Sequence, residues 1–301
     1  MDADLEALRR HGFAVAYRML GSVADAEDVV QEALLRLSRA DDVHEPLAWM
    51  TTVTTRLAID HLRLARVRRE TYVGPWLPDP LVDETAPEPG ARAELAESLS
   101  QAFLVMLEQL TPVERAAFLL REVFDYDYPA VARILDRSEA SCRQLVARAR
   151  RHLRDDHRRF DADVARQEEL LDRFVAAAEE GDLDALEALL AEDAVVYSDG
   201  GGKVAAARKP IHGAPRVARL MAGIARLRQR SGGRPLVAAT VNGRPGRVEV
   251  DREGRPLTVF SIDVVDGRLQ VVRIMRNPDK LAHVRLHVTG DAAAPSTMHE
   301  H

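Results

Sequence analysis

The spacing of apolar residues changes once along this chain, near Asp161, and that change restricts the fold more than any other feature. Before it, apolar side chains recur three or four residues apart, as in Leu5, Leu8, Val15 and Met19 and again in Val29, Ala33 and Leu37, the spacing of one helix face. After it, helical stretches at 165–180 and 183–190 give way to short β-branched runs at 194–198, 237–241, 247–252, 257–265 and 269–276. Asp266-Gly267, between the last two runs, is a hairpin dipeptide. Helices first and a curved antiparallel sheet afterwards predict two all-α domains followed by a separate α+β domain, and 301 residues are enough for each to have its own core.

Local punctuation divides the helical part. Gly21 and Ser22 break the first helix, Asp25 stands where an acid favours the next helix N-terminus, and Pro46 suits the first turn of a helix over 47–63. Five prolines between Tyr72 and Gly90, with Trp76 among them, forbid regular helix and predict a linker. Helix is expected again over 92–110, then after the N-cap signal Thr111-Pro112 with Glu114, then over 128–135 and 141–159 around a turn at 136–140. The expected domains are 1–70, a linker at 71–91, a helix-turn-helix at 92–160 and the α+β domain at 161–288; a tail at 289–301 is expected to lack order.

The second helix of the helix-turn-helix carries seven arginines: Arg143, Arg148, Arg150, Arg151, Arg154, Arg158 and Arg159. In a chain of net charge −6 this is a local concentration of positive charge, and DNA is the polyanion that suits it. Binding through basic patches on an acidic protein should weaken strongly with salt. The single cysteine, Cys142, excludes an internal disulfide or a cysteine zinc site and is read as core at its helical position. No run is long and apolar enough to span a bilayer, and the start of the chain lacks the character of a signal peptide. The expectation is a cytoplasmic protein with no metal and no cofactor.

Two blocks carry a family resemblance. Asp25-Ala26-Glu27-Asp28-Val29-Val30-Gln31-Glu32 with Leu35, Arg36 and Leu37, then Pro46-Leu47-Ala48-Trp49 and Leu57-Ala58-Ile59-Asp60-His61-Leu62-Arg63, resemble region 2 of bacterial extracytoplasmic-function sigma factors. Leu110-Thr111-Pro112-Val113-Glu114-Arg115 and the helix ending Arg148-Ala149-Arg150 resemble their region 4. The resemblance implies core RNA polymerase and promoter DNA as partners. It implies that Asp25, Asp28, Gln31 and Glu32 present one acidic face to the polymerase; charge pattern alone favours a solvated helix start, and the rest of the motif turns the balance to docking. Arg56, Asp60, His61 and Arg63, with Arg66, Arg68 and Arg69, would hold a melted minus-ten element, and the loop 38–45 would take an extruded base, with Trp49 as stacking partner or core. Ser138, Glu139, Ser141, Arg143 and Gln144 would reach bases of the minus-thirty-five element, and Arg148, Arg150 and Arg151 would meet phosphate.

The C-terminal portion resembles the SnoaL-like α+β cone, and three motifs are similar to those of sigma factors that carry such an extension. They are Trp76-Leu77-Pro78-Asp79-Pro80, Asp199-Gly200-Gly201-Gly202-Lys203 and Asn277-Pro278-Asp279-Lys280-Leu281. A flexible turn is the plain reading of three glycines; the reading preferred here is an interdomain regulatory contact of the last two motifs with the helical domains or the Trp76 linker. Asp193, Tyr197, Asp199, His212 and Asp263 could serve as acid or base groups, but no spacing demands catalysis, so no enzyme activity is expected. A small ligand in the cone is kept as an expectation. The alternatives are a helix-turn-helix ligand-sensing regulator and a SnoaL-like enzyme; the acidic block has no use in either.

Overall fold

A computed structural model describes residues 2–83, 98–154 and 164–286. The expected helix start at 92–97, Arg158, Arg159 and the tail at 289–301 lie outside the described residues, as do the side chains of Arg66, Arg68, Arg69 and Arg154. The helical part comprises α1 (Asp2–Leu20), α2 (Val23–Leu37), α3 (Pro46–Glu70), α4 (Gln101–Leu107), α5 (Pro112–Phe118), α6 (Tyr128–Leu135) and α7 (Glu139–Arg154). A π-helical turn, Leu119–Val123, follows α5.

The boundaries follow from local chemistry. Gly21 sits at φ 65°, which ends α1, and the Ser22 side chain accepts from the Asp25 amide to start α2. Thr111 and Glu114 form a reciprocal capping box ahead of α5. Asp127 caps α6, and Asp136 at φ 53° ends it in the left-handed region. The Ser138 hydroxyl then accepts the Ser141 amide at 3.2 Å and starts α7. The helix expected over 92–110 is shorter where it is described, because Ser100 caps α4 and residues past Leu107 turn toward Thr111.

The two helical modules share a core cluster, besides a smaller cluster within each. Tyr17, Leu20, Val30 and Leu62 of the first pack in one cluster with Leu104, Leu107, Leu119 and Leu153 of the second. Arg115, 3% exposed, joins them by donating to the Met19 carbonyl at 2.7 Å and pairing with Glu108 at 2.9 Å. Burial lowers its pKa to about 9, which leaves it charged at neutral pH.

The C-terminal part has α8 (Val164–Glu180), α9 (Leu183–Leu189), β2 (Leu190–Asp199), β3 (Ile211–His212), α10 (Ala214–Arg230), β4 (Leu236–Val241), β5 (Arg244–Val250), β6 (Pro256–Val265), β7 (Arg268–Met275) and α11 (Pro278–Leu281). The sheet order is β1-β4-β5-β6-β7-β2-β3, where β1 is Val82–Asp83 of the expected linker. The sheet is mixed rather than antiparallel: β2 runs parallel to β7, joined across the intervening helix and hairpins. Helix α10 and the linker strand are two elements that the sequence reading does not contain.

Period-two alternation sends one set of strand residues to each face. Val196, Phe260, Ile262, Val264 and Val272 pack against Phe174, Val217 and Met221 of the cone helices. Val241, Val248, Val250, Val259 and Met275 face the opposite way and pack with Leu77 of the linker and Leu281 of α11, with Val105 of α4 against them. The C-terminal domain therefore uses the linker and the second helical module as cover for half of its sheet.

Candidate nucleic-acid and interdomain interfaces

Helix α2 buries Val23, Ala26, Val29, Val30 and Ala33, so Asp28, Gln31 and Glu32 project to solvent on the other side beside Leu35, which is 51% exposed. Glu32 pairs with Arg36 at 2.7 Å. Asp25 departs from that face: it is half-buried at the seam with α3, 3.9 Å from His61. The expected four-residue face is therefore a three-residue one, because the helical stripe places Asp25 against α3.

On α3, Asp60 and Arg63 are exposed and paired at 2.9 Å. Arg56 differs from expectation. Its guanidinium is held by the last turn of α6, donating to the Ile134 carbonyl at 2.8 Å and to the Arg133 carbonyl at 3.0 Å, a favourable use of a cation at a helix C-terminus. Next to it, Thr51 bonds the Tyr126 hydroxyl at 2.9 Å. The loop expected to hold an extruded base lines a cavity of about 470 Å³ with Trp49 and Thr52, and Tyr126, Ala130 and Arg133 form its other wall. The helix-turn-helix thus takes Arg56 from the strip on α3 and leaves Asp60 and Arg63 exposed.

Helix α7 buries Cys142, Leu145, Val146 and Ala149 and exposes Glu139, Arg143, Gln144, Arg148, Arg150 and Arg151, with Ser138 exposed just before it and Ser141 half-buried. Arg143 lies over the Tyr128 ring at 4.4 Å and bonds Glu139 at 2.8 Å, so its side chain is held in one place. Arg150 makes a two-pronged pair with Glu122 at 2.8 and 3.0 Å, so its charge is already partly answered. Tyr128 and Glu122 were not singled out from sequence; an aromatic and an acid in the preceding helices carry no signal of their own.

The three short motifs meet at one buried carboxylate. Asp199, 0% exposed, accepts from the Tyr72 hydroxyl at 2.6 Å, the Leu77 amide at 3.0 Å, the Gly201 amide at 3.0 Å and the Lys280 ammonium at 3.0 Å. Lys280 also donates to the Leu77 carbonyl and stands over the Trp76 ring at 4.2 Å. Burial, then the neighbouring Asp199, pushes the Tyr72 pKa up, which keeps the hydroxyl a donor. Gly201, at φ 59°, is needed for close approach: a Cβ there would lie 2.3 Å from the Asn277 amide nitrogen. A Cβ on Gly202 would meet Val73 at 3.2 Å, and Lys203 pairs with Asp279 at 2.5 Å. Pro278 starts α11 behind the Asn277 cap.

The linker passes this lock on to region α1–α2. Trp76 and Pro78 lie against Gly21, the Asp79 amide donates to the Gly21 carbonyl at 2.8 Å, and the Asp79 carboxylate accepts the Val23 amide at 2.9 Å. Tyr17, buried in α1, donates to the Asp79 carbonyl at 2.6 Å and accepts from Asn242 of the β4–β5 turn at 2.7 Å. Asn242 also reaches the Leu99 carbonyl at 3.0 Å, ahead of α4. Tyr17, Tyr72 and Asn242 were missed from sequence, where each is an isolated residue.

The acid and base candidates are scattered. Asp263 pairs with Arg273 at 2.5 Å on the sheet face away from the cone helices, Asp193 accepts from Gln270, and His212 is exposed on β3. None of them, nor Tyr197 or Asp199, lines the cavities inside the cone. Among the described residues no group of three His, Cys, Asp or Glu side chains is arranged to hold a metal ion. Among them no helix is long and apolar enough to cross a membrane.

Comparisons with known proteins agree with this layout. Residues 5–68 match the family model for sigma-70 region 2, and residues 100–153 match that for sigma-70 region 4. The chain is 39% identical over 290 residues to the ECF RNA polymerase sigma factor SigJ of Mycobacterium tuberculosis (strain ATCC 25618 / H37Rv), covering 92% of each. It is 35% identical over 190 residues to the probable ECF RNA polymerase sigma factor SigI of Mycobacterium tuberculosis (strain CDC 1551 / Oshkosh), covering 62% of this chain and 65% of that one. The crystal structure of the M. tuberculosis SigJ superimposes with a TM-score of 0.75 at 37% identity, covering 94% of this chain and 98% of that one, so the α+β extension is shared. The chain belongs to the extracytoplasmic-function RNA polymerase sigma factors.

Proposed function

We propose that this sigma factor binds core RNA polymerase through α2, reads promoters with α3 and α7, and is restrained by its own C-terminal domain rather than by a separate inhibitor. The observation that carries this reading is the position of the helix-turn-helix: it holds the Arg56 guanidinium and walls the loop cavity beside Trp49, so these two features are not free for DNA until α6 moves. Asp28, Gln31 and Glu32 stay exposed in this closed arrangement, ready for the polymerase. The linker lock at Asp199 stabilises closure, and tethering gives the restraint a high effective concentration without a second protein. Action on core polymerase sets the site of work in the cytoplasm. The scatter of acid and base groups supports a regulatory role for the cone in place of catalysis.

In-vitro transcription with core polymerase tests this. The full chain should initiate from a cognate promoter. Asp28→Arg with Glu32→Arg should lose initiation while retaining the fold. Unchanged initiation by that double variant would remove α2 from the polymerase interface.

A further inference from the structure

Two cavities lie inside the cone between α10 and the sheet. The inner one, about 40 Å³, is walled by apolar side chains such as Phe174 and Met221, and it shares Ile224, Arg228 and Phe260 with an outer one of about 190 Å³. The outer cavity has an apolar side, Leu220, Ile224, Phe260 and Ile274, and a charged mouth.

The charges at that mouth do not cancel. Arg228 pairs with Glu179, and Arg234 pairs with the buried Glu249 at 3.4 Å. Arg276 is the remaining charged group, half-buried, and among the described residues it pairs with no carboxylate; it donates only to the Ala205 carbonyl at 2.5 Å. A concave apolar surface with one unneutralised guanidinium is the chemistry of a small amphipathic monoanion, whose carboxylate would replace a neutral carbonyl as the arginine's acceptor.

The same residues adjoin the interdomain lock. Ser198 of the cavity precedes Asp199, and Arg276 precedes Asn277. The Arg276 amide donates to the Asp199 carbonyl at 2.7 Å. The loop 200–207 runs from the Gly201 amide on Asp199, through the Lys203–Asp279 pair, to Ala205 on Arg276. This loop is tight at its base, where a Cβ on Gly200 would stand 2.5 Å from the Val204 carbonyl. Taking Arg276 away from Ala205 therefore releases the far end of a loop whose near end holds the lock.

We infer that the cone is an effector site for a small amphipathic carboxylate, held by Arg276 over the Leu220, Ile224 and Phe260 surface, and that occupancy loosens the lock at Asp199. The inference rests on the restraint proposed above and adds its ligand class and its path. A ligand shifts the equilibrium only by its preference for one state, so it must bind the loosened form more tightly.

Octanoate is the probe, with octanol as its uncharged counterpart, applied to the full chain without polymerase. Calorimetry should show octanoate bound about 10-fold more tightly than octanol, a charge preference that Arg276→Gln abolishes and Arg276→Lys largely keeps. In a Trp49→Phe background Trp76 is the one tryptophan left of two, and octanoate should shift its emission to the red as the Lys280 contact opens. Equal affinity for octanol, a preference that survives in Arg276→Gln, or binding that leaves Trp76 emission unchanged overturns the inference. Since no arm contains polymerase, these failures leave the transcription reading intact; a chain that binds octanoate as expected yet never initiates RNA synthesis sinks the reading beneath it.

Discussion

At the scale of single residues, the fold converges on Asp199 and Asp79, two carboxylates that a chain of this composition would ordinarily leave in water. Asp199 is buried with Lys280 as its cation, so Lys280→Met strands a buried charge, a change that costs about 3–5 kcal/mol in comparable sites. The expected outcome is a lower thermal midpoint and faster hydrogen exchange at the Leu77 amide; unchanged exchange there would remove Lys280 from the lock. Burial raises the Asp79 pKa above the usual aspartate value, against Lys280, the Val23 amide, His283 and Ser22, which lower it. The docked linker thus binds protons more readily than the released one. Its docking should tighten as pH falls through the raised pKa toward the ordinary value, and Asp79→Asn should flatten that dependence at the tight level. Exchange at the Val23 amide across pH measures it, and a profile with the opposite slope contradicts the assignment.

The three motifs were legible as a set of signatures through the family resemblance, and a contact of the last two with the helical domains or the Trp76 linker was expected; their meeting at one carboxylate was not. Their partners Tyr17, Tyr72 and Asn242 were not, since a lone hydroxyl or amide shows its role only when another segment arrives beside it. Gly201→Ala should displace Asn277 and raise promoter output several-fold with a smaller loss of stability than Lys280→Met, as followed by transcription and thermal melting side by side.

At the scale of elements, the helices were readable from periodicity and from the cap signal at Thr111, while the caps at Asp127 and Ser138 were not read from the sequence. The faces they present were less so. Asp25 and Arg56 are spaced like surface residues, yet a neighbouring helix takes both, and no local pattern records which helix will lie alongside. The parallel pairing of β2 with β7 and the capture of Val82–Asp83 by β4 were hidden for the same reason: both join segments far apart in the chain. Arg143 illustrates what α6 adds to α7, the helix proposed to read DNA. Tyr128 of α6 holds its guanidinium, so Tyr128→Leu should weaken occupancy of the upstream promoter element about 3- to 10-fold while Tyr128→Phe keeps most of it. Footprinting with holoenzyme measures the effect; equal loss in both variants would assign Tyr128 to packing instead.

At the scale of the whole molecule, three expected domains form one closed body. Regions that resemble separate DNA modules share a core, and the cone completes its sheet with the linker between them. In the function proposed above, Arg56 and the loop cavity serve both closure and promoter reading, so the helix-turn-helix must leave region 2 when the polymerase and promoter are bound. The direct measurement is the distance between spin labels at Ala24→Cys on α2 and Ala147→Cys on α7, both exposed positions, with Cys142 buried and unlabelled. A single short distance in the free chain, giving way to a longer one with core polymerase and promoter DNA, is the predicted result; a distribution that stays the same in an actively initiating complex would contradict it.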